Sequence, residues 1–158
     1  MALAKHRPSG WLRVAFRVPI WLYRLGLGRL LDHRLLLIIH RGRRSGLLRE
    51  AVVEVVRYDR ASHACVVMAG WRGTTDWYRN IQVEPALEIR VGGERFVPEQ
   101  RFLTTDETIA ELRSYVERHP RLARQVLGRA FGVTLDGSEE SWQSAAEVFR
   151  GVRVEPAA

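Results

Sequence analysis

Three arginines, two glycines and a serine crowd into GRRSGLLRE, Gly42 to Glu50, and residues of those types at that spacing can hold an anion. The guanidinium forks of Arg43 and Arg44, the Ser45 hydroxyl and the backbone N–H groups around Gly46 match phosphate oxygens, and glycine allows the backbone to come close. AGWRGTTD, Ala69 to Asp76, is a second candidate. Arg72 lies there between Trp71 and Gly73, and a helix starting near Asp76 would aim its N-terminal amides at the same anion. The aromatic pair Trp77-Tyr78 follows. Taken singly, each feature has a plainer reading, because basic turns are usually solvated and a tryptophan such as Trp77 is usually core.

Other chemistries find few residues. His6, His33, His40, His63 and His119 show no paired metal-ligand spacing, so no metal is expected. There is no G-x-S-x-G elbow, no Walker loop and no G-x-G-x-x-G after a strand. Gly26-Leu27-Gly28 falls in the N-terminal helix and reads as packing or flexibility. Cys65 is the single cysteine, which excludes an intrachain disulfide and suits a reducing cytosol; it reads as a small buried hydrophobe.

The elements that must position the basic residues are mostly strands. Leu35–His40 and Ala51–Tyr58 flank the basic run and make it a turn; Ala64–Ala69, Ala86–Val91 and Glu94–Leu103 continue the pattern, with a hairpin at Gly92-Gly93. Pro98 demands an edge or a bulge. A helix capped by Asp106 should bury Ile109, Leu112 and Val116 and end at Pro120, followed by helices over Arg121 to about Ala130 and Ser138–Ala146, and a last strand in VFRGVRVEP. Many short strands with late helices predict an α+β fold, mainly β, built on a small antiparallel barrel.

The net charge of +7 over 158 residues is unevenly placed. Residues 1–50 hold eleven of the cations and two of the acids, which points to a polyanion, a membrane surface or an anionic ligand. WLRVAFRVPIWLYRLGLGRLL, from Trp11, sets Arg13, Arg17 and Arg24 beside Trp11, Phe16 and Trp21 as a basic amphipathic helix. It is too interrupted to span a bilayer and is kinked at Pro19. Two parts are expected: a basic helical segment over 1–32 and a barrel domain over 33–158. The segment either packs on its own domain or touches the membrane surface.

DWYRNIQVEPALEIRVGG resembles the W-Y-x-N signature of the deazaflavin-dependent nitroreductase and quinone reductase family, and GRRSGLLR resembles that family's basic turn. The resemblance implies a split β-barrel of the pyridoxamine phosphate oxidase type that binds the 8-hydroxy-5-deazaflavin coenzyme F-420 rather than flavin mononucleotide. It further implies that Arg43, Arg44, Ser45, Gly46 and Arg49 take the phosphate and glutamate tail. The loop Gly70, Trp71, Arg72, Gly73 would pass beside the ring, and Trp77, Tyr78 and Asn80 would buttress it. Leu47-Leu48 replaces more polar residues of the family, and its acceptor-pocket tyrosines are absent, with Leu122 and Gln125 near their places. The implied activity is hydride transfer from reduced F-420 to a small organic acceptor, a quinone or an enone-like molecule. The lone cysteine suits a cytoplasmic protein, and the basic helix leaves open peripheral contact with the inner face of the membrane. A non-catalytic cofactor- or lipid-binding barrel is the alternative. Nucleic acid is not expected as a partner, because no aromatic residues are interleaved with the N-terminal charge on the strands.

Overall fold

The computed structural model describes residues 18–158. Leucine and isoleucine make Leu35–Arg41 a strand, β1, which turns back into the long β2, Leu48–Tyr58. Leu36 faces Val53, Ile38 faces Ala51 and His40 faces Arg49, and the period of two sets these pairs on one side of the sheet. β3 is Cys65–Ala69, β4 Glu88–Val91, β5 Glu94–Phe96, β6 Pro98–Phe102 and β7 Arg150–Pro156. All pairings are antiparallel, in the order β5-β4-β1-β2-β3-β7-β6.

The two edge strands, β5 and β6, are separated in the chain by Val97 alone. The opposite edges of the sheet must therefore lie side by side, so the sheet is rolled into a nearly closed barrel. The expected single strand Glu94–Leu103 is thus two strands. Pro98 opens the second at an edge, where its missing N–H costs least. The split barrel implied by the sequence is the fold observed.

The barrel interior is filled by Leu36, Ile38, Cys65, Val67, Ile89, Val91, Val152 and Val154. Burial pushes the Cys65 thiol up to about 12, in keeping with an unreactive core residue. Val56, Val66 and Phe149 instead meet the helices α3 (Thr105–Arg118) and α5 (Glu139–Val148) through Leu112, Tyr115 and Ala145 in a second cluster. Between these helices lie the short α4, Pro120–Ala123, and a π-helical turn, Arg124–Ala130, where one longer helix was expected. Thr104, not Asp106, caps α3. Its hydroxyl accepts from the Glu107 N–H at 3.2 Å while the Glu107 carboxylate accepts from the Thr104 N–H at 2.8 Å, and that reciprocal pair sets the cap two residues earlier than expected.

Of the N-terminal segment, Val18–Arg24 forms α1 and Gly28–Leu31 a 3-10 turn. The proposed stripe residues Trp11, Arg13, Phe16 and Arg17 lie outside the described residues. Tyr23 anchors α1: it is buried, and its hydroxyl donates to the Leu35 carbonyl at 2.5 Å. A Cβ at Gly28 would come within 2.6 Å of the Tyr23 ring, which gives this glycine a packing role. Trp21, Leu25 and Leu30 are 58, 69 and 74% exposed. Among the described residues no helix is long and apolar enough to cross a membrane.

Candidate functional site

The basic turn is a closed knot of backbone hydrogen bonds. The Gly42 N–H donates to the Leu47 carbonyl at 2.9 Å and the Gly46 N–H to the Gly42 carbonyl at 2.7 Å, with Gly46 at φ +67°, a left-handed conformation that glycine adopts without strain. Gly46 therefore shapes the turn, and its N–H is already spent within it. The Ser45 Oγ accepts from the Leu47 N–H at 3.3 Å.

Opposite the turn, α2 (Asp76–Val83) carries Asp76 and Trp77 one helical turn before Asn80. Turn and helix enclose a cleft of about 600 Å³, lined by His40, Arg43, Arg44, Arg49, Trp77 and Asn80 among others. Arg43 bridges its walls. Both terminal guanidinium nitrogens donate to Asp76 Oδ1 at 3.2 Å, one of them also to Asn80 Oδ1 at 2.8 Å, and the Arg43 backbone N–H reaches the same Asn80 oxygen at 3.1 Å. The Asn80 amide in turn donates to His40 Nδ1 at 3.2 Å.

The arginines are consequently unequal. Arg43 is largely neutralised by Asp76, whereas Arg44 and Arg49 are exposed and form no ion pair or hydrogen bond with another described residue. The acid beside them, Glu50, is held by Arg24 of α1 at 2.5 Å. Two uncompensated cations thus stand on the rim of the cleft, above a floor made of Trp77, Asn80 and His40. His40 is buried and its pKa is lowered, first by that burial and further by the Arg49 charge, although a backbone hydrogen bond at Arg41 and the Asp76 charge oppose the shift.

Of the residues singled out in the sequence, Arg43, Arg44, Ser45, Arg49, Trp77 and Asn80 line the cleft. Gly46, Gly70, Trp71, Arg72, Gly73 and Tyr78 do not. Gly70 is pressed against the Phe131 ring, where a Cβ would meet it at 2.3 Å, and Trp71 meets the same ring at a tilt, with centroids 4.8 Å apart. Arg72 reaches Glu147 of α5 at 3.8 Å, and Tyr78 packs edge-on against Trp77 and Phe102. The loop still carries a mark of unusual demands. Trp71, Arg72 and Gly73 are consecutive left-handed residues, at φ +50°, +58° and +70°, and the buried Trp71 Nε1 and Thr75 Oγ1 have no partner among the described residues.

Sequence reasoning missed His40 and Asp76 as parts of the cleft. It also missed a polar cluster among residues distant in sequence: Glu94 accepts from the Tyr58 hydroxyl at 2.5 Å and meets His63 Nδ1 at 2.7 Å and His33 Nε2 at 3.2 Å. These three partners hold the Glu94 carboxyl below its usual range despite burial, which pushes the other way. The register puts the cluster beyond the end of the barrel opposite the basic turn, where it ties β5 to the β2–β3 connection. Among the described residues no group of three or more histidine, cysteine or acidic side chains has a metal-binding arrangement.

A family model described as F-420H(2)-dependent quinone reductase matches residues 16–126. No curated protein matches the chain in sequence. Among solved structures, an F-420-H(2) dependent reductase (FDR-A) aligns over 78% of this chain and 96% of its own with 19% identity and a TM-score of 0.51. A structure described as a domain-swapped dimer aligns over 87% and 99% with 18% identity and a TM-score of 0.52. At those identities the two structures speak for the fold.

Proposed function

Because the chain belongs to the F-420H(2)-dependent quinone reductase family, and so is an oxidoreductase with coenzyme F-420 as its cofactor, we propose that the cleft between the basic turn and α2 is where this cofactor binds. The observation that carries the reading is the pair Arg44 and Arg49, two exposed cations without partners among the described residues, on the rim of a cleft of about 600 Å³. A phosphate with an oligoglutamate tail is the ligand chemistry that such a rim fits. Bound in its reduced form, F-420 supplies the hydride. The chain's own work is placement: Arg44 and Arg49 hold the tail, Ser45 and the turn backbone shape the rim, and Trp77 and Asn80 form the floor. Such a transfer needs closeness and orientation more than an acid–base pair, in keeping with a site that has no nucleophile beside a base. In this reading the loop Gly70–Gly73 and Tyr78 act from behind the cleft wall, by supporting α2.

The acceptor proposed is a quinone or an enone-like molecule. The exposed Leu47 and Leu48 beside the cleft favour a lipophilic one. A second reading, peripheral contact with an anionic membrane, is favoured by position. Leu48 lies on the same outer face of β2 as Glu50, which binds Arg24 of α1, so the exposed Trp21 and Leu25 belong to the side of the barrel that carries the cleft entrance. In this picture residues 1–32 form a basic appendage that docks on the barrel through Tyr23 and leaves its outer face for lipid. Titration of the full chain with F-420 and with flavin mononucleotide, followed by fluorescence, tests the central reading. F-420 should bind more tightly, and less so as salt rises; equal or reversed affinities overturn it.

A further inference from the structure

We propose that His40 is a positioning residue of the cleft: a neutral imidazole, locked by Asn80 with its proton on Nε2, that donates a hydrogen bond to an uncharged, carbonyl-type oxygen of the bound ligand. The argument begins at Asn80. Its side-chain oxygen receives two donors, the Arg43 backbone N–H at 3.1 Å and the Arg43 guanidinium at 2.8 Å. An amide nitrogen in that place would set donor against donor, so the orientation of the amide is fixed. The Asn80 nitrogen then points at His40 Nδ1, at 3.2 Å. Since that nitrogen can only donate, His40 Nδ1 must accept, and in a neutral imidazole the proton resides on Nε2.

The neutral state follows from the surroundings, where burial outweighs the Arg41 backbone contact that favours the charged ring. His40 is buried and sits opposite Arg49 in the β1–β2 register, while Arg43 stands behind Asn80. Asp76 is the acid on this side; it pairs with Arg43, and its charge is the smallest of the influences on His40. A second proton on His40 would have to occupy Nδ1, against the Asn80 amide. The chain Asp76–Arg43–Asn80–His40 thus runs from the exposed start of α2 to the cleft floor and sets the polarity of one buried ring. The division of labour is chemical. Charged donors on the rim suit the anionic part of a ligand, and one uncharged donor in the buried part suits a carbonyl, which gains a hydrogen bond with no ion to desolvate.

The inference rests on the reading that F-420 occupies the cleft, and the experiments separate the two. In the nitrogen-15-labelled full chain without ligand, long-range proton–nitrogen correlation spectra should show the His40 proton on Nε2 across neutral pH; a proton on Nδ1 overturns the lock. Adding F-420 should shift the His40 Nε2 resonance, and an unmoved resonance in a saturated complex overturns the contact. His40→Leu, which keeps bulk and loses the donor, should weaken F-420 binding about tenfold, and His40→Gln, which restores an N–H donor, should recover most of that loss. Equal loss in both variants assigns His40 to packing and overturns the proposal, as does unchanged affinity in His40→Leu. If His40→Leu fails to fold, the two spectra of the wild-type chain decide. Failure of the wild-type chain to bind F-420 at all would instead overturn the cofactor reading of the cleft, and with it the contact, while the tautomer measurement would still test the lock.

Discussion

Arg43 and Arg44 are neighbours in the same turn, yet their removal should have different consequences. Arg44 is exposed and bonded to no other described residue, so Arg44→Ala is predicted to weaken F-420 binding by about 1.5–3 kcal/mol, the value of a charge-assisted contact, with the melting temperature nearly unchanged. Arg43 is shared by Asp76 and Asn80, so Arg43→Ala should lower the melting temperature as well, by the equivalent of about 1–3 kcal/mol. Calorimetric titration and thermal melts of both variants check the pair; identical behaviour would refute the distinction. His40 adds a pH dependence. Its pKa in the folded chain lies below the ordinary 6.5, so the unfolded chain binds the extra proton more readily. The stability that depends on a neutral His40 is complete above 6.5 and is lost as pH falls from there through the folded-state value. Urea unfolding at a series of pH values should show that loss, and in His40→Gln this component should be missing.

Among the elements, the loop leading into α2 carries strain at an identifiable residue. Arg72 holds a left-handed conformation, φ +58°, and among the described residues its side chain, 70% exposed, makes only a long ion pair with a similarly exposed Glu147. Such a pair is worth little in water. Arg72→Gly should therefore raise stability by about 1 kcal/mol, because relief of the left-handed strain outweighs the added freedom of the unfolded chain; a fall in melting temperature would show that the side chain matters more than its backbone. At α3, Thr104→Ala should cost about 1 kcal/mol and Asp106→Ala much less, since Thr104 is the residue that closes the capping box. That pair also shows what the sequence could and could not convey. The strands were legible because β-branched runs between Gly-, Asp- and Arg-rich turns have few other fates, and the turn at Gly42–Leu47 came with them. The cap of α3 was not, because Thr104 and Asp106 are both good caps and only the reach of Glu107 decides between them. The π-helical turn at Arg124–Ala130 has no local signature. In the cleft, Arg43, Arg44, Arg49 and Asn80 could be read from their motifs, whereas a lone His40 in an apolar strand looks like any core residue until the register sets it opposite Arg49 and the helix brings Asn80 to it. The Gly70–Gly73 loop was placed at the cleft by motif alone, and the attraction of Phe131 for Gly70 and Trp71 could not be foreseen from residues sixty positions earlier in the chain.

At the scale of the molecule, exposed apolar residues and cations meet at α1: the exposed Trp21 lies against Arg24, which binds Glu50 of β2, two residues along from the exposed Leu48, a combination suited to an anionic lipid surface. The full chain is predicted to sediment with anionic vesicles more than with neutral ones. Trp21→Ser combined with Leu25→Ser should reduce that association and leave the fold intact, because both side chains are exposed while Tyr23 keeps α1 attached. Association unchanged by the double substitution, or absent in the full chain, refutes the membrane reading.

The closure of the barrel has a consequence for how the chain is made. β7 lies between β3 and β6 and bonds to both, yet it comes after every other strand and after all the helices. During synthesis, β1 to β6 emerge well before the strand that joins them, and a slot with hydrogen-bonding edges on both sides waits while α3, α4 and α5 are still being added. The order of synthesis thus leaves closure of the barrel to its last strand, Arg150–Pro156.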